Sequence, residues 1–315
     1  MRKNNFLLAC IFAVANLFSQ NLRFFNTNQS LINLNPSFAG SNGGLRNQLS
    51  YQNQWPSAPF DNNVTYLNTF DAYVKPLSAG IAFSALCNNQ LKGENKINSY
   101  SFSYAQHISL KGGDLKIIPS VQFGYGRRLY SPGPTTYLNS NPAISTGNTG
   151  IILTVIPETS EKNYLDFGSG FMITYRNKFY GGFSLNHINQ PDIGTSEIEI
   201  LPRTFNIHLS YNWSISEKAQ LQFFYGHYQQ GLSSASQVSV NAVLFQHVMG
   251  GIGYGNGDNI LFNLGYRHNY FSVVAGYAIT KSILVPVNYT TWELHASFNI
   301  RNKDQRKALT SFESW

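Results

Sequence analysis

The chain has 315 residues, of which 43% are hydrophobic and 15% aromatic, yet only 12% are charged. Its formal charge of +7 includes Arg2 and Lys3 and is otherwise spread over turns and ends, which excludes the concentrated basic surface of a nucleic-acid-binding protein. Cysteine occurs only at Cys10 and Cys87, which excludes an internal disulfide framework and a cysteine-based metal cluster once the leader is removed.

Arg2 and Lys3 precede an apolar stretch from Phe6 to Phe18, and Ser19 supplies a small residue before Gln20, so residues 1–19 read as a signal peptide and the mature protein as exported. Apolar residues continue past Cys10, against a lipoprotein cleavage site. No later segment offers ~18 uninterrupted apolar residues, so a helical span is not expected. Residues 20–44 read as an N-terminal lead-in, in which Pro36 and Gly40 set the turn that feeds the first strand.

Residues 45–300 alternate periodic strands with connections that are short, then long. In 164–176, Leu165, Phe167, Phe171, Ile173 and Tyr175 share one face, and Asp166, Gly168, Gly170, Thr174 and Arg176 the other. The span 203–215 repeats this, with Phe205, Ile207, Leu209, Tyr211, Trp213 and Ile215 opposing Thr204, Asn206, His208, Ser210, Asn212 and Ser214. So does 292–300. Further strands fall near 45–55, 63–74, 79–87, 97–109, 115–129, 179–188, 219–229, 236–246, 248–255, 260–268 and 270–279.

Short connections at 75–78, 111–114, 176–178, 216–218, 246–247 and 268–269 alternate with longer ones at 55–62, 88–96, 130–163, 189–202 and 280–290. This is the plan of an all-β, antiparallel transmembrane barrel of the outer membrane with about 14 strands, periplasmic turns and extracellular loops. A soluble sandwich or propeller shares the alternation. The low charge and the aromatics clustered at strand ends favour the barrel, and its apolar faces carry no mid-strand charge, where Lys or Arg costs roughly 2 to 4 kcal/mol.

Chemistry-bearing residues are sparse. The histidines at 107, 187, 208, 227, 247, 268 and 295 lack metal-ligand spacing, and no cofactor or metal is expected. Glu293 and His295 share the inward face of the last strand, where hydrogen bonding across the barrel closure near Gln52 and Gln54 is the simpler role than acid–base catalysis. Gly251, Gly253, Gly255 and Gly257 alternate along a strand, unlike a phosphate loop. Gly124, Gly126, Gly168, Gly170, Gly182, Ser184, Gly276 and Ala278 point inward, which leaves room for a plug, a loop or a partner segment. Inward charges such as Arg46, Asp71, Lys116, Asp166 and Arg176 are few and of both signs, against an ion-selective porin. The apolar run Ile151, Ile152, Leu153, Val155 and Ile156 in the loop 130–163 is suited to entering the lumen, extending the wall as a hairpin, or receiving a partner.

At the start of the mature chain, Asn33-Leu34-Asn35-Pro36-Ser37-Phe38-Ala39-Gly40 followed by Tyr51-Gln52-Asn53-Gln54-Trp55 resembles the opening of the PorP/SprF-like family of Bacteroidetes. Pro76 to Phe83, the segment Phe179 to His187 with Gly182 and Ser184, Leu201-Pro202-Arg203, and the closing Trp292-Glu293-Leu294-His295 continue the likeness. Ser37 and Phe38 depart from the family's usual Ala and Tyr, and Glu293 and His295 invert its His-Glu order.

The resemblance implies a non-enzymatic outer-membrane accessory of the type IX secretion system, associated with gliding motility, that helps a large secreted adhesin or enzyme reach, or stay on, the cell surface. Its partners would be secretion components, the lipid bilayer and a secreted surface protein whose C-terminal region docks on the loops or in the lumen. Residues 301–315 would form a periplasmic C-terminal tail. A diffusion porin or hydrophobic-substrate channel is the alternative.

Overall fold

The computed structural model describes residues 24–56, 62–133, 135–139, 151–155, 158–256, 259–281 and 288–300. Its strands are β1 (Leu45–Gln54), β2 (Asn63–Val74), β3 (Ala79–Gln90), β4 (Asn95–Gln106), β5 (Ile108–Leu110), β6 (Leu115–Tyr130), β7 (Thr135–Asn139), β8 (Ile151–Val155), β9 (Ser160–Tyr175), β10 (Phe179–Asn186), β11 (Thr204–Ser216), β12 (Ala219–Gln230), β13 (Ser233–Leu244), β14 (Val248–Gly255), β15 (Asn259–Arg267), β16 (Phe271–Lys281) and β17 (Asn288–Ile300). β4 and β5 are one strand interrupted at His107, and β7–β8 form a separate hairpin. The remaining sheet is a closed antiparallel barrel of 14 strands. Closure runs from Leu45 opposite Ile300 to Gln54 opposite Thr291, pairing β1 with β17.

Burial along each strand separates this barrel from a sandwich. Leu209 and Phe298 stand 43% and 53% exposed on the outer face, whereas Asn206, His208, Ser210 and Asn212 of β11 are buried inside. Apolar outside and polar inside is the order lipid requires. Across the outer face, rings meet between adjacent strands, as in Phe83 with Tyr100 and Phe171 with Phe183, and such cross-strand pairs fix register.

The short connections cluster at one end, where Ser78, Gly112, Gly113, Arg176, Asn177, Phe245 and Gln246 take positive φ. Arg176 therefore lies in an exposed turn, bonded to Asp114 at 3.2 Å, and not on the inner face. At the other end the expected length asymmetry is incomplete. β3 runs on to Gln90 because Asn88 Nδ2 reaches Thr65 Oγ1 at 3.1 Å across the inner face, so that connection shrinks to 91–94. β12 and β13 meet through Gly231 and Leu232 alone, with Gly231 at φ +54. The apolar run of the largest connection forms β8, with Leu153 opposite Tyr137; Ile156 lies outside the described residues.

The segment before β1 lies inside the barrel. It comprises a 3-10 turn (Thr27–Gln29), helix α1 (Leu31–Leu34) and a second 3-10 turn (Pro36–Phe38). Leu31, Ile32, Leu34, Phe38 and Ala39 cluster with Ala82, Ala105, Ile118, Met172, Tyr180 and Phe224 of the wall. That cluster is an apolar core set toward the short-turn end of a largely polar lumen, and Val243, Met249 and Val274 form a second, smaller one.

Candidate functional site

The lumen is plugged by residues 24–44, held mainly by hydrogen bonds from inward-facing polar residues. On β17, the Glu293 carboxylate accepts the backbone N–H groups of Phe25 at 2.5 Å and Asn26 at 2.9 Å. It also accepts from Gln52 Nε2 at 2.7 Å and contacts His295 Nε2 at 3.2 Å. His295 Nδ1 meets Ser50 Oγ at 2.9 Å, and its ring packs edge-on against Phe24. Further along, Asn28 Nδ2 donates to Gln222 Oε1 at 3.0 Å, Thr27 bonds Gln237 at 3.2 Å, and Gln48 donates to the Gln29 carbonyl.

The plug then crosses to β9 and β10. Asn35 caps the second 3-10 turn by accepting from the Ser37 N–H at 2.9 Å, while Pro36 supplies a first residue with no amide to satisfy. The same side chain donates to the carbonyls of Phe183 at 3.0 Å and Phe171 at 3.3 Å. It reaches them because Gly170 and Gly182 carry no Cβ; one at Gly182 would stand 3.1 Å from Asn35 Nδ2. Ser184 Oγ donates to the Leu34 carbonyl at 2.8 Å, and Ser37 Oγ pairs with Ser120 Oγ at 2.8 Å.

The exit passes Gly40, whose φ of +68° turns the chain toward β1. Asp71 accepts the Gly40 N–H at 2.9 Å and is itself held by buried Arg46 at 2.8 Å. Breaking such an enclosed pair typically costs about 3 to 5 kcal/mol. His107 bonds the Ala39 carbonyl at 2.9 Å.

Between the plug and the loop end lies a cavity of about 170 Å³. Phe24, Thr27, Ser30, Asn33 and Leu34 floor it, and Ile193 and Leu201 reach it from the connection 187–203. Two ion pairs tie that connection to the wall: Arg128 with Glu199 at 2.5 Å and Lys162 with Asp192 at 2.7 Å. Asp192 also accepts the N–H groups of Gly194 and Glu199. The Lys162 ammonium first, and these two amides next, hold its pKa down at about 2.

Of the residues singled out from the sequence, Asn35, Pro36, Gly40, Gly182, Ser184, Glu293 and His295 come together along the plug. The others do not. Tyr51 faces outward against Tyr66 with ring centres 5.3 Å apart, and Gln54 accepts from Asn63 at 3.4 Å. Trp55, at φ +56°, packs on Tyr289. Pro202 accepts from Gln230 at 3.4 Å and Arg203 donates to the Ile188 carbonyl at 3.0 Å, both at the loop end. Ile151, Ile152, Leu153 and Val155 sit in β8. Sequence reasoning missed Asn26, Asn28, Gln222 and Gln237 as plug contacts; the only signal of Gln222 and Gln237 is polarity on an inward strand face, and Asn26 and Asn28 lie outside any strand. Among the described residues, no group of three His, Cys, Asp or Glu side chains is placed to hold a metal.

Solved structures share the fold. The Ralstonia pickettii toluene transporter TbuX superposes with a TM-score of 0.52 at 9% identity, covering 87% of this chain and 94% of that one. The P. putida toluene transporter TodX gives 0.50 at 8% identity, covering 85% and 93%. At such identities the likeness speaks for architecture alone, and no curated protein matches the sequence. With strands apolar outside, closed on themselves and like those of outer-membrane barrels, the chain is an outer-membrane protein. The family described as "Type IX secretion system membrane protein PorP/SprF" matches residues 17–298, and the chain belongs to it.

Proposed function

We propose that the protein is a non-enzymatic accessory of type IX secretion that helps a large, adhesin-like secreted protein reach or stay on the cell surface. Family membership over residues 17–298 is the observation that carries this reading. The C-terminal region of the cargo docks on the extracellular loops or enters the outer half of the lumen, while the periplasmic turns face the secretion machinery. The extracellular edge suits a protein partner, because Ile198 and Leu232 are 81% and 79% exposed there, at positions with no strand role. A plug spanning the lumen weighs against the alternative of a free diffusion channel. Glu293 and His295 weigh against catalysis, since the carboxylate is engaged by the plug's amides, Gln52 and His295.

Affinity isolation of the tagged chain from outer membranes tests the reading. One large secreted protein should co-purify, and its surface display should fall when the barrel's gene is deleted. Normal display in the deletion strain, or solute uptake by proteoliposomes without any companion protein, would overturn it.

A further inference from the structure

We propose that the chamber between the plug and the connection 187–203 is a binding site for a ligand carrying an ammonium or guanidinium group, a role independent of the cargo reading. The described lining contains one carboxylate, Asp166, and no Lys or Arg. Arg128 and Lys162, which tie the connection 187–203 to the wall, are each matched by an acid, Glu199 and Asp192. Those pairs cancel, and Asp166 is left as the one acid of the described lining, set against a histidine and not against a Lys or Arg. Its Oδ2 lies 2.8 Å from His187 Nδ1.

Three enclosed acceptors on adjacent strands have no donor: Asp166 Oδ1 on β9, Asn186 Oδ1 on β10 and Thr204 Oγ1 on β11. Asn186 stands directly opposite Thr204 in the ladder. Leaving such atoms unsatisfied is costly, so a multivalent N–H donor at this wall is favoured. Gly124, Gly126 and Gly168 keep the wall low beside them, and the Tyr100, Tyr125, Tyr164 and Tyr228 side chains also line the space. Aromatic faces attract cations when desolvated. An anion could draw on the amide and hydroxyl donors of the lining but would face the Asp166 carboxylate with no Lys or Arg beside it, and a neutral polyol leaves that carboxylate without a counter-charge, so a cation is the class this wall favours.

Titration calorimetry on the full chain in detergent, above neutral pH, tests the assignment with butylammonium, butan-1-ol and the blocked tripeptide acetyl-Ala-Lys-Ala-amide. Butylammonium or the tripeptide should bind saturably and at least about tenfold more tightly than butan-1-ol. Tighter binding of butylammonium assigns a free amine as the source, and of the tripeptide a lysine side chain of a polypeptide. Asp166→Asn should weaken binding at least about tenfold with thermal stability retained; Asn186→Leu, which removes a second acceptor, provides the same test should the first variant not assemble. Equal binding of butan-1-ol, no binding of either cation, or unchanged affinity in the variants would overturn the proposal.

Discussion

The carboxylate of Glu293 accepts the backbone N–H of Asn26 at 2.9 Å, across a separation of 267 residues. The strand that closes the barrel against β1 therefore also holds the start of the plug. Wall closure and plug seating are coupled: Gln52 of β1 and Asn26 of the plug bind the same side chain, so neither contact is complete until the last strand is placed. Contacts of such sequence separation carry a loop-closure cost that local contacts do not, and they slow folding.

Glu293→Gln should unseat the start of the plug without opening the wall. The amide keeps one acceptor and turns an NH₂ toward a donor, and hydrogen bonds to a charged group carry about 1.5 to 3 kcal/mol. Measured as maleimide labelling of Asn28→Cys in a Cys87→Ser background, opening should accelerate roughly tenfold or more, at about 1.4 kcal/mol per factor of ten. Unaltered labelling would show that Glu293 is not the anchor.

Gly80 marks the neck of the plug. A Cβ there would overlap the Ala39 carbonyl, backbone against backbone, with no flexible atom to yield. Gly80→Ala should cost about 1 to 3 kcal/mol, the range for overpacking, and lower the temperature at which the compact electrophoretic form is lost. Gly250→Ala is the control, because its Cβ would meet only the Asn263 carbonyl at 3.8 Å. Equal effects from the two substitutions would remove the steric argument.

The barrel is legible in the sequence because lipid imposes a period of two: Leu209 outward and His208 inward follow from alternation alone. Small inward residues also announced unfilled space, and the fold divides it, with Gly170, Gly182 and Gly276 against the plug and Gly124, Gly126 and Gly168 along the chamber. What occupies that space was not legible. Residues 24–44 have neither a strand nor a long-helix period, and Asn26 or Asn28 reads as linker polarity until Glu293 and Gln222 are brought opposite. Pro36 and Gly40 do shape turns, as their residue types suggest, but the first of these turns lies within the lumen.

Acid should loosen the connection 187–203. Asp192 is more acidic here, at about 2, than the ordinary 3.8, so its bonds to Lys162, Gly194 and Glu199 stabilise the loop fully above about pH 4 and lose that effect as pH falls toward 2. Amide exchange at Gly194, corrected for intrinsic rate, should lose protection across that window. In Asp192→Asn, protection should be low throughout. A wild-type profile flat from pH 5 to about 2 would assign the loop's order to Ile193 and not to the carboxylate.

The orientation of β11 permits a sharper test of the membrane-facing wall than any loop change. Leu209 projects outward midway along its strand, 43% exposed, between the outward Ile207 and Tyr211. Leu209→Arg places a cation in hydrocarbon at a cost of roughly 2 to 4 kcal/mol, whereas Leu232→Arg sits in the Gly231–Leu232 turn, where water or headgroups accept the charge. The first should sharply reduce folded protein recovered in outer membranes and lower refolding yield in lipid vesicles, and the second should leave both near wild type. In detergent micelles, which deform around a charge more readily than a bilayer, the Leu209→Arg deficit should shrink. Equal recovery of the two variants from outer membranes would mean that Leu209 does not face lipid, and the inside-out order of the strands would have to be reversed.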